Sequence, residues 1–157
     1  MTALRFYHLT ERPLEAVAPA LLETCLKHGM RAAVRAGSDA ALRGLDQALW
    51  TYSDAAFLPH GLASEPHAGK QPILLGASDP PENGAAYLML VAGASQPPES
   101  LTGFDRVALL FDDQDLAAKD RARADWRAAA AAGLPAEYWA QEGGRWVKKM
   151  ENAGAPD

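Results

Sequence analysis

The run Tyr87-Leu88-Met89-Leu90-Val91-Ala92 is apolar at every position. A strand with one wet face alternates apolar and polar residues, whereas a strand covered on both faces does not. This stretch therefore reads as the central strand of a sheet, and the rest of the chain must supply material for two covering layers. The N-terminal third does so in regular order. Residues 4–9 read as a strand. Leu14, Val17, Leu21, Leu22, Cys25 and Leu26 recur at helical spacing up to the stop at Gly29. Residues 30–36 read as a second strand, and Gly37-Ser38-Asp39 opens a second helix. Residues 72–76 and 104–111 add further strands. Strands and helices alternating through short connections predict a parallel sheet with crossover helices. The expected fold is α/β: a single three-layer, doubly wound, mostly parallel sheet.

Residues 51–71 break the pattern, punctuated by Pro59, Gly61, Pro66 and Gly69. Residues 1–140 are expected to form one domain, and residues 141–157 a C-terminal tail that is partly disordered at its end. A length of 157 residues suits one domain, and 48% hydrophobic residues suffice for a core. A net charge of −5 argues against broad binding to nucleic acid, and no sequence-specific DNA contact is expected. The single cysteine, Cys25, excludes a disulfide framework and fits a reducing cytoplasm. Neither a signal peptide nor an apolar run long enough for a membrane span is visible.

The expected sheet type often binds nucleotides, but the motifs for that are missing. The loop after the first strand reads Leu9-Thr10-Glu11-Arg12-Pro13, with neither the glycines that let backbone wrap phosphate nor a lysine to neutralise it. His8, His28, His60 and His67 show no metal-ligand spacing, and the Cys25/His28 pair offers two ligands only. No nucleophile elbow is present. Asp112-Asp113 at a strand end has no base or nucleophile nearby in sequence. No cofactor, metal or catalytic activity is expected.

Residues 119–133 predict a helix rich in alanine and arginine, closed by Gly133 and Pro135. At about 100° per residue, Lys119, Arg123 and Trp126 fall on one face with Arg127 alongside. Two readings stand. Asp120 and Asp125 make it a mixed-charge solvated face, or the cations and the indole receive an acidic peptide with an apolar end. A second stretch carries Trp50 at a helix end, then Phe57, Leu58, Pro59 and His60 in an irregular segment. It is either a loop pinned to the core by its aromatics or an exposed apolar ridge for a partner.

Together these stretches resemble the chi subunit family of bacterial DNA polymerase III. The resemblance rests on Leu45-Asp46-Gln47-Ala48-Leu49-Trp50, on Phe57-Leu58-Pro59-His60, and on Arg123, Trp126, Arg127, Ala132 and Gly133; Phe6-Tyr7 fits the family's first strand. It implies an accessory subunit without catalysis, built on a sheet similar to nucleotide-binding folds but without a phosphate loop. It also implies two partners. One is the acidic C-terminal tail of the single-stranded-DNA-binding protein, which ends in Pro-Phe. The matching positions are Lys119, Arg123, Trp126 and Arg127, with Trp126 standing for a tyrosine and Arg127 for a lysine of some members. The other is the psi subunit or another clamp-loader component, for which Trp50, Phe57, Leu58, Pro59 and His60 form the candidate surface. The competing expectations are an adaptor for a repair helicase and a small nucleotide-binding enzyme.

Overall fold

The computed structural model describes residues 2–52, 58–76 and 80–152. Among these residues eight strands form one sheet: β1 Ala3–Leu9, β2 Ala32–Ala36, β3 His60–Leu62, β4 Ile73–Leu75, β5 Tyr87–Val91, β6 Arg106–Asp112, β7 Ala136–Glu142 and β8 Arg145–Asn152. Their order is β3-β4-β2-β5-β6-β1-β7-β8. Every pairing is parallel except β7 with β8. Among the described residues three α-helices cover the sheet: α1 Leu14–Lys27, α2 Asp39–Thr51 and α3 Leu116–Ala131.

β5 shows why the sheet needs two covers. Tyr87, Met89 and Val91 belong to one apolar core with Leu22 of α1 and Leu45 and Leu49 of α2. Leu88 and Leu90 belong to the other, with Ala118, Ala122 and Ala129 of α3. All five β5 residues are buried. This is the doubly wound architecture expected from the unbroken apolar run.

Caps set the helix starts. Ser38 accepts from the Ala41 N–H at 3.1 Å, and Asp115 accepts from the Ala118 N–H at 3.1 Å, so each satisfies an N–H that lacks an intrahelical acceptor. The α1 end explains one displaced boundary. The Met30 N–H reaches back to the Cys25 carbonyl at 3.2 Å across Gly29, whose φ is +75°. Met30 therefore still closes the helix, and β2 begins at Ala32 rather than at residue 30.

Two further stretches belong to the sheet. Within residues 51–71, expected to be irregular, residues 60–62 pair in register with β4 as a short edge strand. The expected tail from residue 141 continues the sheet as far as Asn152. There Gly143 and Gly144, with φ of +59° and +80°, turn β7 back into β8. Two successive left-handed residues form the tight hairpin whose twist matches its strands. The end of the tail, residues 153–157, and Phe57 lie outside the described residues.

Candidate partner-binding site

Three alanines, Ala118, Ala122 and Ala129, seat α3 on the sheet. Such small side chains let the helix lie close, so longer side chains one position along its face emerge at its flank rather than beneath it. Lys119, Arg123, Trp126 and Arg127 all line one cleft of about 210 Å³ along that flank. The opposite wall comes from His8, Phe111, Tyr138 and Met150.

The cleft has an aromatic floor. Trp126 is half-buried and meets Phe6 edge-on, with ring centroids 5.3 Å apart, and Tyr138 edge-on at 6.1 Å. His8 stacks on Phe111 at 4.8 Å with 16° between the planes. Trp126 is thus neither sealed in the core nor loose on the surface: one edge is fixed and another borders the cleft.

A hydrogen-bonded chain crosses the floor. The Tyr138 hydroxyl lies 2.8 Å from His8 Nδ1, and His8 Nε2 lies 2.8 Å from Asp113 Oδ1. Lys119 Nζ lies 3.1 Å from the same carboxylate oxygen. In the neutral imidazole the proton sits on Nε2 facing the carboxylate, and Nδ1 accepts from the tyrosine. The hydrogen bond from Lys119, then that from His8, holds the Asp113 carboxyl below the usual carboxylate range. Burial chiefly pushes the Tyr138 hydroxyl up, so it remains a proton donor at neutral pH.

The other two cations are available. Arg123 pairs with Asp120 at 3.5 Å, but the two side chains are 67% and 79% exposed, and such pairs hold weakly in water. Arg127 makes no ion pair among the described residues. The cleft therefore offers guanidinium groups at its rim and apolar rings at its base.

The second predicted cluster divides. Leu58 and His60 are buried, Pro59 is half-buried, and Trp50 is 59% exposed. His60 is an internal clasp: Nδ1 lies 2.6 Å from the Leu58 carbonyl, Nε2 lies 3.2 Å from Asp46 Oδ1, and the ring lies 4.6 Å from that of Trp50. Asp46 and Trp50 stand one helical turn apart on α2 and meet the same imidazole. The Leu-Asp-x-x-Leu-Trp helix and the Pro-His segment are thus one interlocked unit.

Nucleotide chemistry finds opposing charges at its usual place. The helices after β1 and β6 leave to opposite faces, so the crevice beyond those strand ends is the switch point where such sheets take ligands. Here it is lined by Glu15, Asp112 and Asp115 and, among the described residues, by no cation. The backbone N–H groups of Thr10, Glu11 and Arg12, where a phosphate loop would stand, all donate to Gln141 Oε1 at 3.0, 2.9 and 3.0 Å. An internal amide oxygen fills the position of the anion.

Among the described residues no cluster of His, Cys, Asp or Glu could hold a metal ion, and no helix is long and apolar enough to cross a membrane. Cys25 is buried, and that burial pushes its thiol up to about 11, which leaves little thiolate to react.

Sequence reasoning found the α3 half of the cleft and missed the strand half. His8 and Met150 are far from α3 in sequence, and Phe111 and Tyr138, though near its two ends, lie on separate strands that only the sheet order brings together. A signal for the last two existed: Gly143-Gly144 between two strand-like runs marks a hairpin, which places Tyr138 and Met150 on paired strands.

A family model described as DNA polymerase III chi subunit, HolC, matches residues 1–137. A protein of Pseudomonas aeruginosa named DNA polymerase III subunit chi is 31% identical over 129 residues, covering 78% of this chain and 88% of its own. A protein of Rickettsia prowazekii named probable DNA polymerase III subunit chi is 25% identical over 117 residues, 71% of each chain.

Proposed function

The chain belongs to the DNA polymerase III chi subunit family, and from that premise we propose that it is a noncatalytic adaptor of the replication machinery whose α3 cleft grips the acidic C-terminal tail of the single-stranded-DNA-binding protein. The observation that carries this reading is the convergence of Lys119, Arg123, Trp126 and Arg127 on one cleft with an aromatic floor. The guanidinium groups attract the tail's carboxylates from solution and set the on-rate. The terminal apolar side chain leaves water against Trp126 and Tyr138 and supplies most of the affinity. The exposed Trp50 edge, held by the His60 clasp, is the surface for a second partner of the clamp loader, psi or its equivalent. Such an adaptor works in the bacterial cytoplasm, joining the polymerase assembly to coated single strands without contacting DNA sequence itself. A repair helicase in place of the clamp-loader component would use the same Trp50 surface. The acidic switch-point crevice and the Gln141 oxygen weigh against a nucleotide-binding enzyme.

Calorimetry with an acidic peptide ending in Pro-Phe tests the reading. Saturable binding that weakens with salt is expected. Absence of heat and of competition would remove it, and thermal stabilisation by ATP or NAD would favour the nucleotide alternative.

A further inference from the structure

The hairpin of β7 and β8 lies almost wholly beyond residue 137, where the family match ends, yet it contributes Tyr138 and Met150 to the cleft. β8 reads Arg-Trp-Val-Lys-Lys-Met-Glu-Asn, an edge strand dominated by charge. Charged edges discourage stray pairing with other chains. Met150 departs from that pattern: it is 49% exposed and, among the described residues, one of three large apolar side chains so exposed.

Its direction is set by an irregularity. Gln141, Ala140 and Trp139 oppose Trp146, Val147 and Lys148 in regular register. The register then shifts between Tyr138 and Trp139, so that Tyr138 opposes Met150 and Lys149 is the extra residue. Residues directly opposite on an antiparallel pair share a face. Without the bulge Lys149 would stand opposite Tyr138, and an ammonium would enter the aromatic base of the cleft. With it, Lys149 turns to Glu142 and a thioether lines the cleft instead. Bulges re-aim side chains in this way beside functional sites.

We propose that Met150 is a specificity-determining wall of the cleft, closing over the last, large apolar side chain of a bound acidic tail against Trp126 and Tyr138. This rests on the tail-binding reading above. A thioether suits the task because it adapts to a ring and packs favourably at ring edges. The bulge thereby separates the cleft into a cationic rim and an apolar end.

The test uses the full chain and two acidic peptides that differ only in the last residue, Phe or Ala. The wild type is expected to prefer the Phe peptide. Met150→Ala is expected to reduce that preference about fivefold, mainly through weaker Phe-peptide binding, with Met150→Leu restoring it. Thermal melts accompany each titration; should Met150→Ala fail to fold, Met150→Gln, equal in length but polar, reads the same ratio. A wild type that binds while its variants keep the full preference overturns the role of Met150 and leaves the tail reading standing. A wild type that binds neither peptide overturns both.

Discussion

The hydroxyl of Tyr138 lies 2.8 Å from Nδ1 of His8, joining β7 to β1 across the floor of the cleft. Tyr138→Phe removes this bond and keeps the ring. We expect a loss of about 1 kcal/mol of stability in urea unfolding, with tail-peptide affinity nearly unchanged. A large loss of affinity would show that the hydroxyl, not the ring, contacts the ligand.

Arg123 and Trp126 are expected to fail differently. Arg123→Ala removes an exposed cation and should weaken tail-peptide binding by roughly 1–2 kcal/mol, flatten its salt dependence and leave the melting temperature in place. Trp126→Ala also removes packing against Phe6, and its stability should fall by about 3 kcal/mol. Titration and melting of both variants separate the two effects. Equal melting temperatures would mean that Trp126 is not part of the packed floor.

Asp113 is hydrogen-bonded into the floor, and Lys119 and His8 hold its carboxyl below the ordinary range. A depressed carboxyl contributes stability that is present above its unfolded value of about 4 and is lost as pH falls through the folded value. Asp113→Asn should therefore flatten the acid side of the stability profile. It should also raise tail-peptide affinity at neutral pH, because Lys119 loses its internal counter-charge. Lower affinity would place the carboxylate on the ligand's side of the interaction.

Gln141 Oε1 accepts three backbone N–H bonds, and its residue is 7% exposed. Gln141→Ala leaves three donors of the β1–α1 loop without that acceptor. A cost of about 2–3 kcal/mol is expected, read by denaturant unfolding. Added phosphate that restored the stability of this variant would identify the loop as a vacated anion cradle; the wild type should show no such response.

Much of this was legible in local sequence. The unbroken run at β5 required two covers, and the periodicities of residues 14–28 and 38–50 supplied helices for one of them. The face of α3 followed from helix geometry, since residues three, four and seven apart share a side whatever they pack against. The β7–β8 hairpin was missed because its exposed edge strand is mostly charged, which weakens the alternation that marks a strand.

What the amino-acid order determined by itself was each element and the side chains each displays, because backbone preference and burial pattern act over a few residues. What only the tertiary structure decided was the company those side chains keep. The order β6-β1-β7-β8 sets Phe111, His8, Tyr138 and Met150 side by side under α3. Strand pairing joins residues more than a hundred positions apart, and no local periodicity encodes which strands will meet. A one-residue bulge sets Met150, rather than Lys149, opposite Tyr138 at the cleft.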